Sequence, residues 1–264
     1  MTTLGTRTPL RITLNVWEGL FLREAVARLS ADRIAWLWLL AEPIAHVALL
    51  VWVRTLLGRI RVIPGAEFIP WLIIGITLFI LFRNQVNRGM EAVNANKALF
   101  AYRQVLPIDT VLVRCSLEGV LSSLVVLMLL LGLKLLGYDM TPGRPLGALV
   151  VWFTVFAFGM GVALVFSTVV TAAQEASKFI KMAMFPLYFL SGVMIPVQYF
   201  PHDLQKYLLY NPMLHAVELI RLAYFEGYRA VEGVSYVYLL GWTTTSITLG
   251  FLLHIRFKAR LIAK

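Results

Sequence analysis

The stretch 146-LGALVVWFTVFAFGMGVALVFSTVVTAA-173 decides how the rest of the chain is read. From Leu146 to Ala173 it contains no Asp, Glu, Lys, Arg or His. A helix rises about 1.5 Å per residue, so roughly 20 apolar residues cross the ~30 Å hydrocarbon layer of a bilayer. This run is longer than that. Working outward, the same pattern predicts spans at Ala35–Val53, Phe68–Phe82, Val111–Leu136, Phe179–Phe200 and Val234–Ile255. The first is interrupted only by Glu42, Pro43 and His46, and the second is expected to run on past Arg83. The segment 201–233 is different: its apolar patches are short and polar residues recur every few positions. It reads as a stretch that dips into the membrane edge and returns.

Composition leads to the same class. The 264 residues are 59% hydrophobic and 14% charged, against roughly 25% charged in a soluble domain. One water-soluble core of this size would not bury so much apolar surface. A soluble enzyme and a disordered chain are both excluded. No Ser/Gly linker and no repeat divides the sequence. The expectation is a single all-α polytopic membrane domain over 1–264, with an interfacial helix in 1–33 and six transmembrane helices in 34–264.

The first 33 residues do not read as a signal peptide, because charges interrupt every apolar run. Val16, Trp17, Leu20, Phe21, Val26 and Leu29 recur at helical spacing among Arg and Glu, as in an amphipathic helix lying in the membrane interface. A solvated helix packed on a partner is the alternative. The formal charge is +10. With both termini cytoplasmic, about twice as many Lys and Arg fall inside as outside, so most of the excess is a topology signal rather than a nucleic-acid footprint. Arg59 and Arg61 depart from the rule in a short outer loop. The single Cys115 allows no internal disulfide.

Catalytic and nucleotide motifs are missing. There is no P-loop, no H-E-x-x-H, no G-x-S-x-G and no cysteine pair for a metal. This shifts the reading from membrane enzyme towards transport, with a passive channel as a weaker third option. Within the spans, Glu42 and His46 share a helix face, and so do Arg114 and Glu118. The first pair reads as a buried hydrogen bond or a pore-facing pair, the second as an ion pair at the inner interface. Asn84, Gln85 and Asn87 with Arg83 and Arg88 form either a plain helix exit or a basic vestibule. Ala157 with Gly161, and Gly159 with Ala163, are small pairs at four-residue spacing that admit close helix approach.

Two further stretches carry a family pattern: 94-NANKALFAYRQVLPID-109 and 190-LSGVMIPVQYFPHDLQKYLLYNPMLHAVELIR-221. With six spans and an amphipathic N-terminal helix, they resemble the permease subunits of type-2 ABC exporters, most of all the inner-membrane permeases of capsular-polysaccharide exporters. The resemblance covers nearly the whole chain. It implies a homodimer in the bacterial inner membrane that works with two separate ABC ATPase subunits. ATP and magnesium would be bound by those partners and no cofactor by this chain.

It also implies a cytoplasmic coupling helix at about Lys97–Gln104, with Ala98, Leu99, Phe100 and Tyr102 as its apolar docking face and Lys97 and Arg103 at the rim. A re-entrant outer gate before the last helix would use Asn211, His215, Glu218 and Arg221, in which Glu218 and Arg221 are spaced to pair. The implied cargo is a lipid-linked polysaccharide passed to a periplasmic partner; O-antigen, teichoic acid or a drug are alternatives. Arg28, Arg33, Arg83 and Arg88 are candidates for an anionic headgroup, with ordinary membrane lipid as the competing ligand. Trp38, Phe82, Tyr188 and Phe189 are candidates for a pore lining on which sugar rings stack.

Overall fold

The computed structural model describes residues 9–30, 35–56 and 63–263, and every regular element among them is helical. Arg33, Arg59 and Arg61 lie outside the described residues. Helix α1 is Pro9–Ser30, α2 is Ala35–Leu56 and α3 is Phe68–Gly89. A connector follows, made of α4 (Ala92–Ala95) and a 3-10 turn at Lys97–Ala101. Then come α5 (Pro107–Leu135), α6 (Pro145–Ala172), α7 (Ala176–Leu190), α8 (His202–Leu208), α9 (Pro212–Tyr224), α10 (Tyr236–Arg256) and α11 (Lys258–Ala263).

Local chemistry explains several boundaries. Pro107, Pro145 and Pro212 open their helices at the first position, where the missing N–H has no intrahelical partner anyway. Asn211 caps α9 by accepting the Met213 N–H at 2.9 Å, and Ser235 caps α10 through the Tyr238 N–H at 3.3 Å.

Four described helices are long and apolar enough to cross a membrane: α3, α5, α6 and α10. Helix α3 is innermost, with Trp71, Leu72, Ile76, Leu78, Leu81 and Val86 fully buried. The other three leave apolar faces open, at Leu127, Leu131, Phe153 and Leu252 for example. Continuous apolar surface of this kind belongs against lipid or another subunit. The protein is thus a polytopic all-helical membrane protein.

The expected fifth span, Phe179–Phe200, is not one helix. Helix α7 stops at Leu190 after 15 residues, about 22 Å. Gly192 then takes φ +68°, where a side chain would be strained, and only a short 3-10 turn follows at Val197–Tyr199. The connector differs too: in place of a helix through Gln104, a 3-10 turn ends at Ala101. Helix α1 carries no single apolar stripe. Leu20 is buried, while Leu10, Leu14, Leu22 and Val26 are exposed.

The small residues of α6 serve two neighbours rather than one. Gly159 and Ala163 face α3: Gly159 lies against Gln85, and Ala163 lies where a side chain on Gly89 would fall. Gly161 faces α10, and a Cβ there would sit 2.7 Å from the backbone N of Ile247. Gly161→Val is therefore expected to force α6 from α10 and cost about 1–3 kcal/mol, read as a lower melting temperature in detergent. Gly241→Ala, where nothing lies within 4 Å, should melt like the parent protein.

Candidate functional site

Polar side chains gather at the two ends of the helical bundle. At one end, Arg221 and Glu218 lie on α9 with no exposed surface. Their spacing predicts a pair, and the pair is present: Arg221 Nη1 donates to Glu218 Oε1 at 3.2 Å. Nη1 also donates to the Gly192 carbonyl at 2.9 Å and Nη2 to the Val193 carbonyl at 3.0 Å. The guanidinium carbon sits 3.4 Å from the centre of the Trp71 ring, a cation–π contact. The Tyr228 hydroxyl donates to the Glu218 carboxylate at 3.0 Å. One charge pair thus fastens α9, the break after α7 and α3 together.

His215 does not join that pair. Its Nε2–H donates to the Leu209 carbonyl at 2.7 Å and its Nδ1 accepts the Ser235 N–H at 2.9 Å, which fixes the neutral tautomer. Its ring lies 4.6 Å from that of Tyr238. Asn211 bonds Ser191 Oγ at 3.0 Å besides capping α9. All four residues expected at an outer gate therefore surround the break after α7 and the start of α10, where they act as fasteners. Two clefts of about 610 and 560 Å³ flank α8 here, and Lys206 and Leu209 line both.

The opposite end is basic and holds a second network. Arg114 and Glu118, expected to pair with each other, choose partners on other helices. Arg114 forks onto Glu24 of α1 at 2.7 and 3.1 Å. Glu118 Oε1 receives Arg88 of α3 at 2.9 Å and Arg28 of α1 at 3.5 Å. Trp17 Nε1 donates to Asp109 at 2.9 Å, and Arg23 donates to Asn96, which itself donates to Glu24. Burial opposes ionisation of Glu24, yet hydrogen bonds from Arg114 and Asn96 and the Arg114 and Arg23 charges hold its carboxyl below the usual carboxylate range. Glu42 and His46 likewise turn outward from their helix: Glu42 pairs with Arg83 of α3, and His46 Nε2 meets the Tyr188 hydroxyl of α7 at 2.9 Å. An i,i+4 pair contributes only about 0.2–0.5 kcal/mol, so a cross-helix fork that satisfies more donors wins.

Of the expected headgroup arginines, Arg28, Arg83 and Arg88 each meet a carboxylate here. In the connector, Phe100 points inward and shares a buried cluster with Ala92, Val93, Val111, Cys115, Ala163, Leu164 and Leu261. Ala98, Tyr102 and Arg103 are exposed, and Lys97 and Leu99 are half-buried. Glu91 pairs with Lys181, tying the connector to α7.

The aromatic candidates divide. Phe82 stacks on Phe158 at 5.2 Å, and the ring contacts continue through Phe79 to Tyr188 and Phe189. Phe82 and Tyr188 are buried within the chain, while Phe189 and Trp38 open to its surface. Trp17, Asn96, Trp71 and Tyr228 were invisible as site residues in the sequence. Their partners lie 10 to 150 positions away, and only the fold brings them near. No group of three His, Cys, Asp or Glu suited to a metal occurs among the described residues.

The profile of the ABC-2 type transporter family matches residues 20–225. The polysialic acid transport protein KpsM of Escherichia coli is 34% identical over 90% of this chain and 91% of its own length. The capsule polysaccharide export inner-membrane protein CtrC of Neisseria meningitidis is 28% identical over 82% of this chain and 81% of its own. The O-antigen export system permease protein RfbA of Klebsiella pneumoniae is 18% identical over 89% and 90%. With four membrane-length helices and a family profile over most of its length, this chain belongs to the ABC-2 type transporters.

Proposed function

We propose that this chain is the permease subunit of an ATP-driven exporter that moves a lipid-linked capsular polysaccharide across the bacterial inner membrane. The observation that carries this is the 34% identity to a polysialic acid transporter across nine-tenths of the chain. The weaker 18% likeness to an O-antigen permease places that glycan second. The permease acts as a homodimer with two ABC ATPase subunits, which supply the ATP and magnesium binding that this sequence lacks. A periplasmic partner receives the polymer.

In this reading both termini and the basic end are cytoplasmic. Helices α2 and α7, the latter with the broken segment after it, complete six spans. Helix α1 rides at the inner interface, and α8 with α9 forms the re-entrant outer element. The exposed Ala98, Tyr102 and Arg103 present a short docking edge to the ATPase, and helix-in-groove contacts of this type transmit closure through a few anchors. Arg28, Arg33, Arg83 and Arg88 attract the anionic headgroup of the cargo at the inner leaflet.

The test is reconstitution of the chain with a capsule-system ABC ATPase in proteoliposomes. The expected result is a stable complex and ATP-dependent movement of lipid-linked acidic glycan. A chain that captures no ABC ATPase, or vesicles in which glycan movement ignores ATP, would end the exporter reading. Selective movement of O-antigen would replace the substrate assignment.

A further inference from the structure

We infer that Glu118 is the resident counter-ion of a phosphate site formed by Arg28 and Arg88, and that an arriving phosphate takes its place. This deepens the headgroup reading above and rests on it. Four guanidiniums, those of Arg23, Arg28, Arg88 and Arg114, meet two carboxylates, those of Glu24 and Glu118. Glu24 is occupied by Arg114, Arg23 and Asn96. Asp109 is held by Trp17 and the Leu106 N–H. Arg28 and Arg88 are left to share a single oxygen of Glu118.

That sharing is incomplete. Arg28 Nε is buried, and at 3.5 Å from Glu118 it makes no hydrogen bond. Among the described residues of this half-buried cluster the guanidiniums outnumber the carboxylates, which favours an added anion, because unpaired charge away from water is costly. Two guanidinium forks from different helices suit the oxygens of a phosphate better than one carboxylate does. The ligand has a way in: the Arg28 and Arg88 side chains are 26% and 37% exposed, whereas Glu118 is 2% exposed. The cavity behind Glu118, lined also by Glu42, Asn84 and Ser122, is only about 20 Å³. The phosphate therefore docks on the open edges of the two arginines, and Glu118 competes with it for them. Since Arg28, Arg88 and Glu118 lie on α1, α3 and α5, occupation would exchange a protein tie between these helices for a ligand-borne one.

The experiment uses the full chain, purified in a neutral detergent, with native mass spectrometry of retained lipid. Phosphatidic acid is the probe, phosphatidylcholine the control and glycerol 3-phosphate the soluble competitor. The parent protein should retain phosphatidic acid over phosphatidylcholine. Glu118→Gln removes the competitor and should strengthen retention by about tenfold. Arg88→Lys keeps the charge but loses the fork; it should weaken retention several-fold at an unchanged melting temperature. Competition by glycerol 3-phosphate would identify the phosphate alone as the recognised group. Retention against it would add the lipid tails. Equal retention of the two lipids, or no gain in Glu118→Gln, would overturn the proposal. The measurement needs neither ATPase nor glycan, so its failure leaves the exporter reading standing, and failure of ATP-driven export leaves the phosphate site standing.

Discussion

Arg221→Ala is expected to lose the folded protein, at a cost of about 3–5 kcal/mol. The substitution removes the charge partner of Glu218, which has no exposed surface, and leaves that carboxylate with only neutral donors, the Tyr228 hydroxyl and the Val231 backbone N–H. It also strips the Gly192 and Val193 carbonyls of their donors and empties the face of Trp71. Arg221→Lys should be intermediate, because one ammonium replaces a fork that reaches three acceptors. Glu218→Gln should be the mildest, since it still accepts from Tyr228 and Arg221. Pairing alone would predict rescue by exchanging the two charges. The structure predicts none, because a carboxylate at 221 has no proton for the carbonyls at 192 and 193. Melting temperatures of the four variants in detergent decide the matter. A wild-type value for Arg221→Ala, or recovery in the charge exchange, would contradict the fastening role.

The second large effect separates two residues of the connector. Phe100→Asp should fail to fold. It deletes a buried ring, a loss of about 3–5 kcal/mol for Phe→Ala alone, and places a carboxylate in the cluster of Val93, Val111, Leu164 and Leu261. Tyr102→Asp should insert and melt normally, because Tyr102 is 66% exposed. If the exposed edge docks the ATPase, Tyr102→Asp will weaken capture of that subunit by about tenfold, measured by co-purification. Unimpaired capture by Tyr102→Asp would move the docking edge elsewhere, and a stable, folded Phe100→Asp would show that the ring is dispensable to the core.

These two cases mark how far the sequence was legible. The Glu218–Arg221 pair was readable because its partners lie three residues apart on one helix. Its other partners were not, since Tyr228 sits in an irregular stretch and Trp71 on a helix far back in the chain. The apolar side of the connector was readable as a set of residues, but not its orientation. Phe100 turns inward from the 3-10 turn, and Tyr102, in extended backbone just past its end, turns outward. The fifth span failed as a continuous helix because hydropathy does not register the turn that Gly192 permits.

The sequence by itself determined that this is a polytopic helical membrane protein, and where its long helices lie. Crossing a bilayer requires some 20 consecutive apolar residues, and that is a local property of the chain. Only the tertiary structure decided which charges meet. Glu24 with Arg114, Glu118 with Arg28 and Arg88, and Glu42 with Arg83 each join separate helices. Spacing along one helix suggested other pairs. A buried charge selects the partner that best satisfies its hydrogen bonds, and that partner is supplied by whichever helix the fold packs alongside it.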